Sequence, residues 1–142
     1  MKVLVTGGTG FIGQHLLRAL YAAGHRCRAL ARSGSKREAL ADLDIEWVQG
    51  DITDAASLRG IATGIDLVYH LAATGHVTAL SDEAYKRFRA VNVEGTRNLI
   101  DVCVEARVSR LVHFSSTAAM GTIHLPSVDE SVPCQPTTPY QR

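Results

Sequence analysis

Four glycines near the N-terminus carry the first chemical signal. A short apolar and β-branched run, Val3 to Thr6, turns through Gly7, Gly8 and Gly10 into an apolar segment of helical period that contains Gly13. Two spacings hold at once, Gly8-x-Gly10-x-x-Gly13 and Gly7-x-x-Gly10-x-x-Gly13. Either describes a strand, a tight turn and a helix N-terminus that together receive a dinucleotide pyrophosphate. The backbone must reach the phosphates with no Cβ in the way, and the first helical N–H groups must point at the anion. Gly7, Gly10, Phe11, Ile12 and Gly13 are therefore the candidate contacts. Glycine turns also join strands to helices that bind nothing, so this pattern alone does not decide the matter.

The elements that must position such a turn follow from periodicity. Met1 to Thr6 reads as a first strand, and Phe11 to Ala23 as a helix with Ile12, Leu16, Leu17 and Leu20 on one stripe and Gly24 as its stop. Arg26 to Ala31 is a second strand, Lys36 to Leu43 a short helix, and Ile45 to Gln49 a third strand. Thr53 or Asp54 caps a further helix running to about Ala62, and Ile65 to Leu71 is a nearly all-apolar fourth strand. A loop from Ala72 to Leu80 precedes the longest helix, Asp82 to about Ala106, with Ser81 or Asp82 as its cap. Arg110 to Phe114 reads as a fifth buried strand, and the tail from Thr122 carries all four prolines. Strand and helix alternate five times, which predicts an α/β fold: right-handed βαβ units in a Rossmann-type, doubly wound parallel sheet with helices on both faces.

In such a sheet all strand C-termini open on one edge, where ligands bind. The unusual residues of this chain gather there. The glycine turn ends the first strand, Arg32 the second and Gly50-Asp51 the third; Leu71-Ala72-Ala73 ends the fourth and Ser115-Ser116-Thr117 the fifth. Arg32 stands about 20 residues past the glycines, where an NAD-binding unit carries an acidic residue for the ribose 2′-hydroxyl. A guanidinium there can grip a 2′-phosphate in a bidentate fork that a carboxylate would repel, which favours NADP over NAD. Ser33, Lys36 and Arg37 lie just beyond and can assist. Arg32 can equally solvate a loop or stack on the adenine of NAD. Asp51 can accept from an adenine amino group or cap the next helix, and Ala72 and Ala73 leave room for a ribose or nicotinamide or simply pack closely.

On the long helix Tyr85, Phe88, Asn92, Gly95, Leu99, Val102 and Ala106 fall on one stripe, and a buried amide such as Asn92 must find partners, as groups that order a site do. One of the three hydroxyls of Ser115, Ser116 and Thr117 can meet a substrate oxygen. The six histidines show no metal-ligand spacing, and His70 and His113 sit inside apolar strands as interior packing residues.

Composition narrows the class. The 142 residues have a formal net charge of +1, so no basic stripe exists for nucleic acid or an anionic membrane surface. Cys27, Cys103 and Cys134 are widely spaced and odd in number, which fits reduced thiols better than disulfides or zinc. No apolar run approaches the roughly 18 residues of a membrane span. The expectation is a cytoplasmic, metal-free single domain over residues 1–142.

Five motifs occur in order: Thr6-Gly7-Gly8-Thr9-Gly10-Phe11-Ile12-Gly13, Gly50-Asp51-Ile52, His70-Leu71-Ala72-Ala73, Asn92-Val93-Glu94-Gly95-Thr96 and Phe114-Ser115-Ser116-Thr117. With them the chain resembles the extended short-chain dehydrogenase/reductases, the NAD(P)-dependent epimerase/dehydratase family, over essentially its whole length. Ala29 to Ser33 is more similar to the NADP-using reductases of the dihydroflavonol-reductase type than to the acidic-ended sugar-nucleotide epimerases. The resemblance implies hydride transfer between nicotinamide C4 and a carbonyl or hydroxyl carbon of a small molecule or nucleotide sugar. It implies cofactor contacts from Ile52, Leu71, Asn92 and Ser115 beside the residues named above. It matches Thr117 to the Ser/Thr that orients the substrate oxygen, and Tyr140 to the phenol that acts as general acid/base. A phenol with an ordinary pKa of about 10 needs a cationic neighbour to do so; in the family this is the lysine of Tyr-x-x-x-Lys, which would fall two residues past Arg142. The chain therefore reads as the N-terminal part of a longer enzyme, its sheet incomplete on the C-terminal side and its substrate-binding lobe absent, with the full-length protein expected to be a homodimer. The competing expectation is a non-catalytic dinucleotide sensor on the same fold.

Overall fold

Val3, Leu4 and Val5 are completely buried, and a strand apolar on both faces has to lie in the middle of a sheet that is covered on both sides. The computed structural model, which describes residues 1–75, 81–123 and 126–138, places it there. The strands are β1 (Lys2–Thr6), β2 (Arg26–Ala31), β3 (Ile45–Gln49), β4 (Leu67–His70) and β5 (Arg110–His113). All pair in parallel in the order β3-β2-β1-β4-β5, with Thr6 opposite both Leu30 and His70. The chain walks outward from β1 to β3, returns to the other side of β1 and walks outward again. The crevice between the two walks opens beyond the ends of β1 and β4.

Alternate residues of β1 feed two cores. Val3 and Val5 pack with Cys27, Ala29 and Ile45 under Leu17 and Leu20 of α1 (Phe11–Ala22). Leu4 packs with Leu30 and Val68 under Leu58, Ile61, Leu99 and Cys103. The second face is covered by one long helical stretch, α2 (Asp82–Phe88), a π segment (Arg89–Gly95) and α3 (Thr96–Glu105). Ser81 caps it, its Oγ accepting from the Ala84 N–H at 3.2 Å.

Three expectations are corrected. The helix expected over Lys36 to Leu43 is a single 3₁₀ turn, Glu38–Leu40. There the Ala39 carbonyl is taken by the Arg18 guanidinium of α1, which also pairs with the Asp42 carboxylate, so a tertiary partner satisfies a carbonyl that a helix would have paired. The helix expected to run to Ala62 is likewise a 3₁₀ turn, Ala55–Leu58, capped by Asp54. Gly60 and Gly64 take positive φ of 72° and 69° and cut the segment into turns. The buried Arg28 guanidinium of β2 collects the carbonyls of Ile61 and Thr63 at 2.6 and 3.2 Å, and pairs with Glu46 at 2.7 Å. Finally, the longest helix is not uniformly α. The π segment inserts a residue at the level of Asn92, and beyond it Gly95, Leu99 and Cys103 are buried while Val102 and Ala106 are half-buried. A Cβ on Gly95 would lie 2.8 Å from Ile52 Cγ1, so this crossing exists only because position 95 has no side chain.

Candidate functional site

At the end of β1 three backbone segments meet. Gly7 has φ +74°, and a Cβ there would lie 2.6 Å from the Leu71 carbonyl carbon and the Ala72 nitrogen. A Cβ on Gly13 would overlap the Gly7 carbonyl. The turn is held by Gly10 N–H donating to Gly7 O at 3.0 Å. α1 then starts at Phe11 with no side-chain cap and no acidic residue in its first turn. The N–H groups of Phe11, Ile12 and Gly13 thus have no partner within the helix, and they stand at the positive end of its dipole. Phe11 and Ile12 are both exposed.

Two cavities flank this turn. The larger, about 850 Å³, runs along Gly10, Phe11, Ile12 and Gly13 to Asn92 on one side and Ser115 and Ser116 on the other. The second, about 390 Å³, reaches past Leu30 and Ala31 to Arg32, Asp51 and Ile52. Gly7, Gly10 and the strap Leu71–Gly75 line both, so the strap is the partition between them. A third space of about 560 Å³ lies outermost, walled by Arg32, Ser33, Ser35, Asp51 and Asp54 among others. Every residue proposed from sequence as a cofactor contact (Gly7, Gly10, Phe11, Ile12, Gly13, Arg32, Asp51, Ile52, Leu71, Ala72, Ala73, Asn92 and Ser115) lies on a wall of the first two cavities.

Arg32 is exposed at the end of β2 and makes no ion pair within 4 Å among the described residues. Asp51 Oδ1 accepts from both the N–H and the hydroxyl of Thr53, at 2.9 and 2.8 Å. Burial works to raise the Asp51 pKa, but these two bonds and the nearby Arg32 charge outweigh it and hold the carboxyl below its usual value. Asp54, not Asp51, caps the following turn. Arg37, expected to assist Arg32, instead lies over the Trp47 ring at 5.0 Å.

Asn92 is half-buried and grips the strap with both ends of its amide. Oδ1 accepts from Thr74 N–H at 2.8 Å, and Nδ2 donates to Thr74 O at 3.3 Å. Thr117 is exposed and opens the 3₁₀ turn Thr117–Met120, which Ser116 caps; it lies off the cavity walls that Ser115 and Ser116 form. Tyr140 lies outside the described residues.

The two histidines part company. His70 is an interior residue, 1% exposed. Its Nδ1 is 2.6 Å from Thr6 Oγ1 and its Nε2 2.8 Å from Thr96 Oγ1. His113 corrects the expectation of an interior residue: it is exposed and lines the larger cavity, because β5 is the outermost strand of the sheet on that side. Sequence reasoning also passed over Thr9, Ser35, Arg87 and Arg89, which line the cavities. Arg87 and Val91 line the same wall one helical turn apart, on either side of the start of the π segment at Arg89. Arg87 is exposed and lies off the apolar stripe of Phe88 and Asn92, so helical periodicity assigns it to the solvated side.

No group of three or more His, Cys, Asp or Glu able to hold a metal occurs among the described residues, and no described helix is long and apolar enough to cross a membrane.

Burial, and secondarily the charge of His113, pushes the His70 pKa from 6.5 down to about 4. Between those values the unfolded chain binds a proton that the folded ring refuses, so stability rises with pH through this window. The contribution is complete above about pH 6.5 and is lost as pH falls towards 4, at up to about 1.4 kcal/mol per pH unit. Denaturant titrations at pH 5 and pH 7 should show this slope, and His70→Asn should flatten it; a wild type of equal stability at both pH values would contradict a buried neutral His70.

Residues 3–142 match the NAD dependent epimerase/dehydratase family. Sterol demethylase protein B of Methylococcus capsulatus is 38% identical over 145 residues, covering 100% of this chain and 43% of that protein. A 3 beta-hydroxysteroid dehydrogenase/Delta 5→4-isomerase of Mycobacterium tuberculosis is 39% identical over 136 residues, covering 93% of this chain and 36% of that protein. Among solved structures, the dTDP-glucose 4,6-dehydratase DesIV of Streptomyces venezuelae, crystallised with NAD, superimposes with a TM-score of 0.87 at 37% identity, covering 99% of this chain and 47% of that one. The chain thus spans less than half the length of these relatives. With a five-stranded parallel sheet, a glycine turn at the end of β1 and a family match from Val3 to Arg142, the chain belongs to the NAD dependent epimerase/dehydratase family of the extended short-chain dehydrogenase/reductases.

Proposed function

We propose that this chain is the cofactor-binding part of an NAD(P)-dependent oxidoreductase, epimerase or dehydratase that acts on a small molecule. The observation that carries the reading is the turn at Gly7, closed to any side chain by Gly13 and the strap, facing the uncapped start of α1. The N–H groups of Phe11, Ile12 and Gly13 hold the pyrophosphate. The smaller cavity, with Leu30, Asp51 and Ile52, takes the adenosine half, and the larger takes the nicotinamide half against Ala72, Ala73 and Ser115. When bound, the dinucleotide supplies hydride transfer. The chain's own contribution is to orient it: Asn92 fixes the strap, Thr117 orients a substrate oxygen, and the Tyr140 phenol moves the proton. The dehydrogenase and dehydratase relatives support both a hydroxyl or carbonyl substrate and a nucleotide sugar.

NADP is the favoured cofactor. The support is Arg32, free of any ion pair among the described residues, with Ser33 and Ser35 beside it in the outermost space. The DesIV relative carries NAD, so the choice turns on this chain's own cation. The full-length protein is proposed to be a cytoplasmic homodimer, with the exposed Val93, Ile100 and Val104 stripe of the long helix as part of its interface.

Titration of the full-length protein should give tighter binding of NADP than of NAD. Arg32→Ala should weaken NADP by about 10- to 100-fold, the scale of a lost charge-assisted bidentate contact, and leave NAD nearly unchanged. Tighter NAD binding by the wild type refutes the preference. For catalysis, Tyr140→Phe should retain cofactor affinity while turnover falls by at least about 100-fold, the scale of general acid–base catalysis; unchanged turnover would contradict the assignment of the phenol.

A further inference from the structure

We propose that His70 is a positioning residue: as a neutral ring protonated on Nε2, it sets the register of the π segment and thereby holds the Asn92 amide on the strap that divides the two cavities. Its effect on cofactor affinity rests on the dinucleotide reading given above.

The hydrogens can be assigned one at a time. The Thr96 hydroxyl donates to the Asn92 carbonyl at 2.8 Å, and a hydroxyl has one hydrogen to give. At its 2.8 Å contact with His70 Nε2 it must therefore accept, so Nε2 carries the proton. In a neutral imidazole Nδ1 is then an acceptor, and the donor at 2.6 Å is the Thr6 hydroxyl. Thr6 Oγ1 in turn accepts from the Ala72 N–H at 3.3 Å. Each hydrogen has one acceptor, and the relay runs in one direction from Ala72 to Asn92. A doubly protonated ring would leave the hydroxyl hydrogen of Thr6, a residue with no exposed surface, without an acceptor.

The far end of the relay is where the helix leaves α geometry. In an α-helix the Thr96 N–H would bond to the Asn92 carbonyl; here it bonds to Val93 O, and the Thr96 hydroxyl takes its place on Asn92 O. Hydroxyl bonding of this kind to the carbonyl four residues back perturbs helix geometry, and π turns recur at functional sites. His70 holds that hydroxyl in its accepting and donating pose. The consequence is a closed circuit. His70 reaches Asn92 through Thr96, Asn92 grips Thr74 by two hydrogen bonds, and the strap returns through Ala72 and Thr6 to His70. Both tie points, Ala72 and Thr74, lie in the wall shared by the two cavities.

The test uses the full-length protein labelled with ¹⁵N. The His70 ring should give a protonated-type nitrogen signal at Nε2 and an unprotonated-type signal at Nδ1 near neutral pH, and the reverse pattern overturns the proposal. Thr96→Val, which keeps shape and removes the hydroxyl, should speed hydrogen exchange at the Thr74 amide and weaken NADP binding about tenfold, the scale of one lost half-buried hydrogen bond. Thr96→Ser should restore both. Asn92→Ala should lose a similar factor, and Thr96→Val with Asn92→Ala should lose no more than the worse single change; additive losses would show that the relay does not act through Asn92. Should the wild type bind neither NADP nor NAD, the dinucleotide reading fails, while the imidazole signals and the Thr74 exchange rate still decide the relay.

Discussion

Everything in this cleft depends on a backbone contact that admits no side chain. At the end of β1 the Gly7 backbone is pressed against Leu71 and Ala72 on one side, and its carbonyl against Gly13 on the other. That contact draws the start of α1 and the strap after β4 to the same point, and it leaves helix N–H groups without partners facing open volume. Close approach of three main-chain segments would be unstable if their polar groups were stranded. Leu71 N–H donates to Thr6 O at 3.1 Å and Ala72 N–H to the Thr6 hydroxyl, so the strap is tied to the strand it crosses. The fold around it is what a strand buried on both faces requires: two cores, one under α1 and one under the long helix, with the crevice where they part.

The distribution of charge follows the same geometry. The middle of the cleft carries no acidic side chain in the first turn of α1 and presents the positive end of that helix. The outer end sets the Arg32 cation, which makes no ion pair among the described residues, near Asp51, whose carboxylate is committed to Thr53 through one oxygen. The inner end offers Ser115, Ser116 and His113 beside half-buried apolar walls. An elongated ligand with a central diphosphate, a polar sugar-phosphate end and a flat reactive end matches that sequence of environments.

The strands and the edge on which the site lies were legible from residue types because they rest on burial and on glycine geometry, both local properties. Val3 to Val5 and Val68 could be read as strand interior since nothing polar interrupts them, and the Gly7-Gly10-Gly13 spacing states where a Cβ is forbidden. What the sequence did not disclose depends on partners distant along the chain. Arg18 and Arg28 claim carbonyls that would otherwise have paired within helices after β2 and β3, and no local pattern announces them. The π segment is hidden for the same reason, since its register is tied to a hydroxyl that meets a histidine 26 positions away. Asn92 is legible as an amide on an apolar helical stripe, but its partner, the Thr74 backbone, is set by the strap 18 positions away. The exposure of His113 is not legible either, because an apolar strand reads as interior whether or not it lies at the edge of its sheet.

The central claim is that the glycine turn and the start of α1 form the pyrophosphate seat. A residue-resolved amide NMR titration of the full-length protein with NADP tests it directly. The account predicts saturable shifts largest at Gly10, Phe11, Ile12 and Gly13, with a second group at Ala72 and Ala73 following the same binding curve. Saturable binding that leaves the Gly10 to Gly13 amides unmoved would contradict it.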